Sequence, residues 1–265
     1  MSHNSYTDPS DQNLNRENDK LEAGDITAAS PALRWLDNFW YHNKWTVIVV
    51  AFFVTVGIIC LVQFISRPDY DTSMVFGSPY RMNKEERGDF EALIARVCPE
   101  DFNGDGEKLV NLVVYQVYSE EEFESEADFY ASVTNEEGET DAFQINRQFN
   151  MDEYKNFSQY TMTGETSVYI LSPYMYASLA DADRLMPLSE VYKGEPLPAG
   201  AMADGLGIRL SETDFYKYNP AAQVIPKDAI LCLHRPTLGG RSKDPDRYAE
   251  DTAFFRAIAD LEVKE

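Results

Sequence analysis

The clearest pattern along the chain is an apolar run from Trp45 to Ile65 that contains no charged residue. At about 1.5 Å per residue, a helix over these residues would span roughly 31 Å, close to the hydrocarbon thickness of a bilayer. A helix in the core of a soluble protein would be shorter and would carry a polar face. The pattern therefore predicts one transmembrane helix at 45–65.

The segments before this run differ from it in composition. Residues 34–44 carry large rings that favour the headgroup layer, so they predict an interfacial segment. Residues 1–33 are polar and predict a disordered tail. Because about 44 residues precede the run, a cleaved signal peptide does not fit. Arg34 and Lys44 give a small basic excess on the N-terminal side, which favours a cytoplasmic N-terminus and a main domain outside the cell membrane.

Beyond Pro68 the pattern alternates between short apolar runs and helical periodicity. The runs predict four strands, at Thr72–Phe76, Leu109–Tyr118, Ser167–Leu171 and Ala229–Leu233. Helices are expected after Asn83, whose spacing to Glu86 is that of a capping box, and over Asn150–Met162, Tyr174–Ala180 and the residues after Asp244. The alternation predicts an α/β domain at 66–265 with a mixed, partly parallel sheet covered by helices.

Charge excludes some partners. The chain has 45 Asp and Glu against 23 Lys and Arg, a net charge of −22. A nucleic-acid binder needs a basic face to neutralise phosphates, so nucleic acid is not an expected partner. The acidic stretch at 120–141 is expected to be a solvated excursion or a frayed hairpin. Cys98 and Cys232, both in the main domain, are compatible either with one disulfide or with two buried thiols.

The segment from Gly164 to Tyr192 resembles extracellular solute-binding proteins of the type 2 periplasmic-binding fold. Three parts of the segment follow that family's pattern: Gly164, the Val168–Leu171 strand and the closing Pro187-Leu188 element. The chain also resembles an uncharacterised group of membrane-anchored proteins from Gram-positive bacteria. The resemblance implies that residues after the strand line a ligand cleft, which makes Tyr169, Tyr174 and Tyr176 candidate ligand-binding residues. The alternative is aromatic packing under a loop.

Two further signals come from the residues themselves. The loop Asp101–Glu107 offers oxygen atoms at Asp101, Asn103 and Asp105 and a glycine at the sixth position, like the first half of an EF-hand loop. Leu112 stands where the bidentate carboxylate should be, so the loop predicts a tight turn first and a calcium site second. Arg235 follows a predicted strand, where it could bind a carboxylate or phosphate at a switch point or pair with a surface acid.

No catalytic motif frames His234, the one histidine after the apolar run, and no nucleophile–base pair can be singled out. About 200 residues are too few for two full lobes, so ligand capture by hinge closure is not expected. The sequence thus favours a membrane-anchored, non-enzymatic module that recognises an unknown ligand or protein outside the cytoplasm. The alternatives are a solute-binding component of a transporter and a hydrolase of envelope polymers.

Overall fold

A computed structural model describes residues 31–65, 68–125 and 147–262. The chain divides into two compact units that meet at Arg67 and Pro68. Two predictions fall partly outside the described residues. These are residues 1–30 of the predicted tail at 1–33 and residues 126–141 of the acidic stretch at 120–141.

The first unit contains the long helix α1, Pro31–Ile65. Within the described residues it is the one helix long and apolar enough to cross a membrane, over Asn38–Phe64, with a mean hydropathy of 2.8. No part of the protein that the structure describes buries that span, which suits a membrane anchor. The aromatic segment at 34–44 belongs to the same helix, and the rings of Trp35 and Phe39 stack at 5.4 Å along one side of it.

The second unit is built on one five-stranded sheet. Its strands are β1 Thr72–Ser78, β2 Val110–Gln116, β3 Val168–Leu171, β4 Gly207–Arg209 and β5 Ile230–Leu233. The order across the sheet is β2-β1-β3-β5-β4. β1 runs parallel to both β2 and β3, whereas β5 runs antiparallel to β3 and β4. The predicted mixed, partly parallel sheet is confirmed.

Helices cover both faces of this sheet. They are α2 Lys84–Val97, α3 Arg147–Thr163, α4 Pro173–Asp181, α5 Leu188–Tyr192, α6 Asp214–Tyr218 and α7 Pro245–Ala259. Successive strand residues point to opposite faces, so Met74 and Phe76 enter the core under α2 and α7, while Val75 enters the core under α3 and α4. The predicted capping box begins α2, since Asn83 Oδ1 accepts from the backbone of Glu86 at 2.9 Å.

A buried carboxylate ties α7 to the edge of the sheet where β1 and β3 begin. Asp251 accepts hydrogen bonds from the hydroxyls of Thr72 and Ser167 at 2.8 and 2.7 Å. It also accepts from Arg241 Nε at 2.9 Å. Because every one of these groups is mostly buried, the network fixes the helix against both strands.

The two cysteines of this unit are free thiols. Cys98 lies in the core under α2 and α7, and Cys232 lies in the core on the opposite face of the sheet. The sheet between them prevents the disulfide that the sequence left open, and the buried-thiol alternative is the observed one. Burial raises the pKa of the Cys98 thiol to about 11, so it stays protonated.

Candidate functional site

Two adjacent strands end in the same tripeptide. Ser78-Pro79-Tyr80 closes β1, and Ser172-Pro173-Tyr174 follows β3. The strands are parallel and Gly77 pairs with Leu171, so the two tripeptides leave the sheet side by side. We name the carboxyl ends of these two strands, with their tripeptides, the Ser-Pro-Tyr edge. It is a topological switch point, because β2 lies on one side of β1 and β3 on the other, and open α/β sheets bind ligands at such points.

Glycine brings the two strand ends together. The Ser172 N–H donates to the Gly77 carbonyl at 2.8 Å, which joins the start of α4 to the end of β1. A Cβ at Gly77 would come within 2.6 Å of Met175 Cε in the first turn of α4. A larger residue at 77 would therefore require the side chains of Met175 and Leu171 to move.

The two serines of the edge are in different hydrogen-bonding states. Ser78 Oγ accepts from the Tyr80 N–H at 3.1 Å. Ser172 is the N-cap of α4 and only 4% exposed, yet its Oγ makes no cap bond and has no partner in the described part of the chain. Leaving a buried hydroxyl unpaired costs about 1–3 kcal/mol, so this oxygen needs an explanation.

The first turn of α4 places unpaired backbone N–H donors near this hydroxyl. The first N–H groups of a helix have no carbonyl partner within it, and Pro173 removes one of them, which leaves those of Tyr174 and Met175. The positive end of the helix dipole also lies here. An unpaired hydroxyl at a helix N-terminus is suited to an acceptor oxygen of a ligand, above all an anionic one.

Aromatic rings stand beside the unpaired serine. Tyr174 is 42% exposed, and its ring centroid lies 6.0 Å from that of Tyr154 on α3. Tyr80 instead packs against the core on the opposite face of the sheet, where it donates its hydroxyl to Glu86 at 2.9 Å; burial and this carboxylate raise the pKa of Tyr80. The rings of Tyr174 and Tyr154 offer apolar faces near the polar serine, a combination typical of small-molecule sites.

The other two candidate tyrosines are not at this edge surface. Tyr169 is fully buried and donates to the Thr166 carbonyl at 3.1 Å. Tyr176 is buried and donates to Asp204 at 2.8 Å; burial and this carboxylate raise its pKa. Both hydroxyls are therefore used inside the fold, and of the three tyrosines predicted from the sequence Tyr174 alone is exposed.

Arg235 lies at the opposite edge of the sheet. It follows β5, and because β5 runs antiparallel its end lies where β1 and β3 begin. Arg235 pairs there with Asp183 at 3.4 Å and Glu190 at 3.8 Å. The structure thus does not bring Arg235 together with Tyr174, and the reason is the direction of one strand.

His234 is also at that opposite edge and is only 5% exposed. Its Nδ1–H donates to the Arg235 carbonyl at 2.7 Å, which leaves Nε2 without a hydrogen-bond partner among the described residues. Burial lowers the pKa of His234, and the nearby charge of Arg184 lowers it further. The ring packs 5.6 Å from that of Tyr169, so His234 is part of a core.

The loop Asp101–Glu107 uses its oxygen atoms to build turns. Asp101 accepts from the N–H groups of Gly104 and Gly106, both at 2.7 Å, and these bonds lower its pKa. Asn103 and Asp105 each accept from the backbone two residues later, at 2.9 Å. Gly104 and Gly106 have positive φ, as a tight turn requires. The described residues contain no group of three or more side chains that could hold a metal ion.

Four residues of the edge were not singled out from the sequence: Ser78, Tyr80, Tyr154 and Ser172. The signal that could have found three of them is the repeated Ser-Pro-Tyr tripeptide at the ends of two apolar runs. Comparison of the chain with protein-family models, curated proteins and solved structures gave no match, so the site stands on its geometry alone.

Proposed function

We propose that the chain is a membrane-anchored, non-enzymatic recognition module that binds a small ligand at the Ser-Pro-Tyr edge, outside the cytoplasm. The observation that carries the proposal is the unpaired Oγ of Ser172, buried at the N-terminus of α4 on a switch point. A ligand with a carboxylate, phosphate or other acceptor oxygen would satisfy the adjacent N–H groups, and also that hydroxyl once the groups that cover it move aside. Tyr174 and Tyr154 would stack on its apolar part.

Binding without catalysis fits the surroundings of the edge. A serine nucleophile needs a base within hydrogen-bond distance, and Ser172 Oγ contacts none in the described residues. His234, the histidine of this unit, is buried at the other end of the sheet. These positions support recognition over the hydrolase alternative.

The form of the unit also favours recognition over transport. Residues 68–265 make one compact unit around one sheet. A transporter's solute-binding component closes two lobes around its ligand. A module with one lobe binds on an open edge, where a partner molecule can also reach the ligand.

The edge can be tested through the difference between its two serines. Ser172→Ala removes a hydroxyl with no internal partner, so we expect unchanged stability or a gain of up to about 1 kcal/mol. Ser78→Ala removes an acceptor for the Tyr80 N–H and should cost about 1 kcal/mol. Thermal unfolding of the full chain in lipid nanodiscs measures both.

The same preparations test binding against a panel of small carboxylates, phosphate esters and sugars. A compound that raises the unfolding temperature of the unmodified chain should lose that effect in Ser172→Ala and keep it in Ser78→Ala. Equal destabilisation by the two substitutions would show that Ser172 has a structural partner. Stabilising compounds that act equally on the chain and on Ser172→Ala would place the site elsewhere.

A further inference from the structure

A concave site lies between α5 and α7, at the end of the sheet where β1 and β3 begin. Its volume is about 340 Å³, and its floor is formed by Met186, Val191 and Leu233. Tyr248 and Ala249 of α7 form one wall. That volume lies at the lower end of the roughly 300–1,000 Å³ range of small-molecule pockets, so a small organic molecule fits. The cleft lies at the opposite end of the strands from the Ser-Pro-Tyr edge.

The two hydroxyl groups that line the cleft both donate hydrogen bonds to backbone carbonyls. Tyr248 donates to the His234 carbonyl at 2.9 Å, and Thr252 donates to the Tyr248 carbonyl at 2.8 Å. Neither side chain offers a free donor to a ligand. The inner surface is therefore apolar with two acceptor oxygens, and any charge recognition must come from the rim.

Two residues of opposite charge stand on the rim of the cleft. One forms an ion pair within the described residues and the other does not. Glu190 pairs with Arg235 at 3.8 Å. Lys193 is exposed and forms no ion pair within the parts of the chain that the structure describes. It follows α5 in the left-handed region, with φ 46°, where lysine is uncommon. Among the residues that line the cleft, Lys193 is the one cation.

We infer that this cleft binds a small organic carboxylate with an apolar body. The apolar part would cover Met186, Val191 and Leu233, and the carboxylate would pair with the Lys193 ammonium. Acidic surfaces repel anions in general, so the one cation that lines the cleft decides which end of the molecule faces out. A lysine near a helix C-terminus also interacts with the helix dipole, but that role needs no cleft.

Thiol protection on the full chain in nanodiscs tests the inference. Cys60→Ala removes the exposed thiol of α1, and Ala249→Cys places a reactive thiol on the cleft wall. Cys98 and Cys232 are buried and should stay unreactive toward a maleimide, which also reports that each variant is folded. The probes are 4-phenylbutyrate and its neutral amide, which differ in charge and hardly in shape.

We expect 4-phenylbutyrate to slow labelling of the introduced cysteine at a concentration about fivefold lower than the amide. Lys193→Gln should remove that difference, while Lys227→Gln, at another exposed lysine, should keep it. Equal protection by the acid and the amide on the chain with Lys193 intact would overturn the inference, as would no protection by either probe. A loss of the difference in both lysine variants would assign it to net charge and not to the cleft.

Discussion

At the scale of single residues, Ser78 and Ser172 show that a repeated tripeptide does not imply a repeated role. The chain after Tyr80 extends toward the cap of α2, so the Ser78 hydroxyl stabilises a turn. The chain after Ser172 enters α4 at once, and its hydroxyl is left unpaired. Sequence inspection could have found the repeat, but the difference in hydrogen bonding arises from the elements that follow.

The buried histidine His234 should make the stability of the fold depend on pH. Its pKa is lowered in the folded protein, while an unfolded histidine titrates near pH 6.5. Below that pH the unfolded chain therefore takes up a proton that the folded protein does not. Stability contributed by neutral His234 is complete above about pH 7 and falls as the pH drops below 6.5. We expect a loss of stability from this group between pH 7.5 and pH 5.5 that stays below about 1.4 kcal/mol, the value of one pH unit.

Denaturant titrations of the full chain at the two pH values measure this loss. His234→Asn keeps a donor for the Arg235 carbonyl and removes the titrating ring, so its stability should change less between the two pH values. His42→Gln, on α1, is the control and should behave like the unmodified chain. An unchanged pH dependence in His234→Asn would show that other groups cause it.

At the scale of elements, the sequence predicted the strands with continuous apolar runs and the helix with a capping box. It did not predict the direction of β5, because a fully buried strand is apolar whichever way it runs. That is why Arg235 was expected near the ligand edge and lies at the other one. The helices α5 and α6 have five residues each, too few for a periodic pattern.

The attachment of α7 provides a test at this scale. Asp251→Asn removes the charge that pairs with Arg241, which is 16% exposed, and weakens the bonds from Thr72 and Ser167. Breaking a buried pair by changing one partner costs about 3–5 kcal/mol. We expect a loss in this range, measured as a lower denaturation midpoint with an unchanged slope.

Glu250→Gln is the matched control, because Glu250 contacts the same arginine at 2.6 Å but is 21% exposed. Its loss should be smaller than that of Asp251→Asn, because water reaches the partly exposed carboxylate of Glu250 and screens its pair. Similar losses for the two substitutions would mean that the carboxylate of Asp251 contributes no more to the free energy of unfolding than that of Glu250.

At the scale of the whole molecule, the two hydrophobic cores lie entirely within residues 68–265. A domain of about 200 residues buries about 70% of the surface of its unfolded chain, which is enough for independent stability. We expect residues 68–265, expressed without α1, to be soluble and to unfold in a single cooperative transition. Calorimetry with near-ultraviolet circular dichroism would check this, and a molten product without fixed aromatic signals would contradict it.

The position of β5 has a consequence for how the protein is made. It is the last strand in the chain, yet it lies between β3 and β4, and β4 has β5 as its one neighbour in the sheet. While synthesis is still short of residue 230, β4 has no strand to pair with and β3 exposes an unpaired edge. The nascent domain is therefore most open to misassembly just before its last segment emerges.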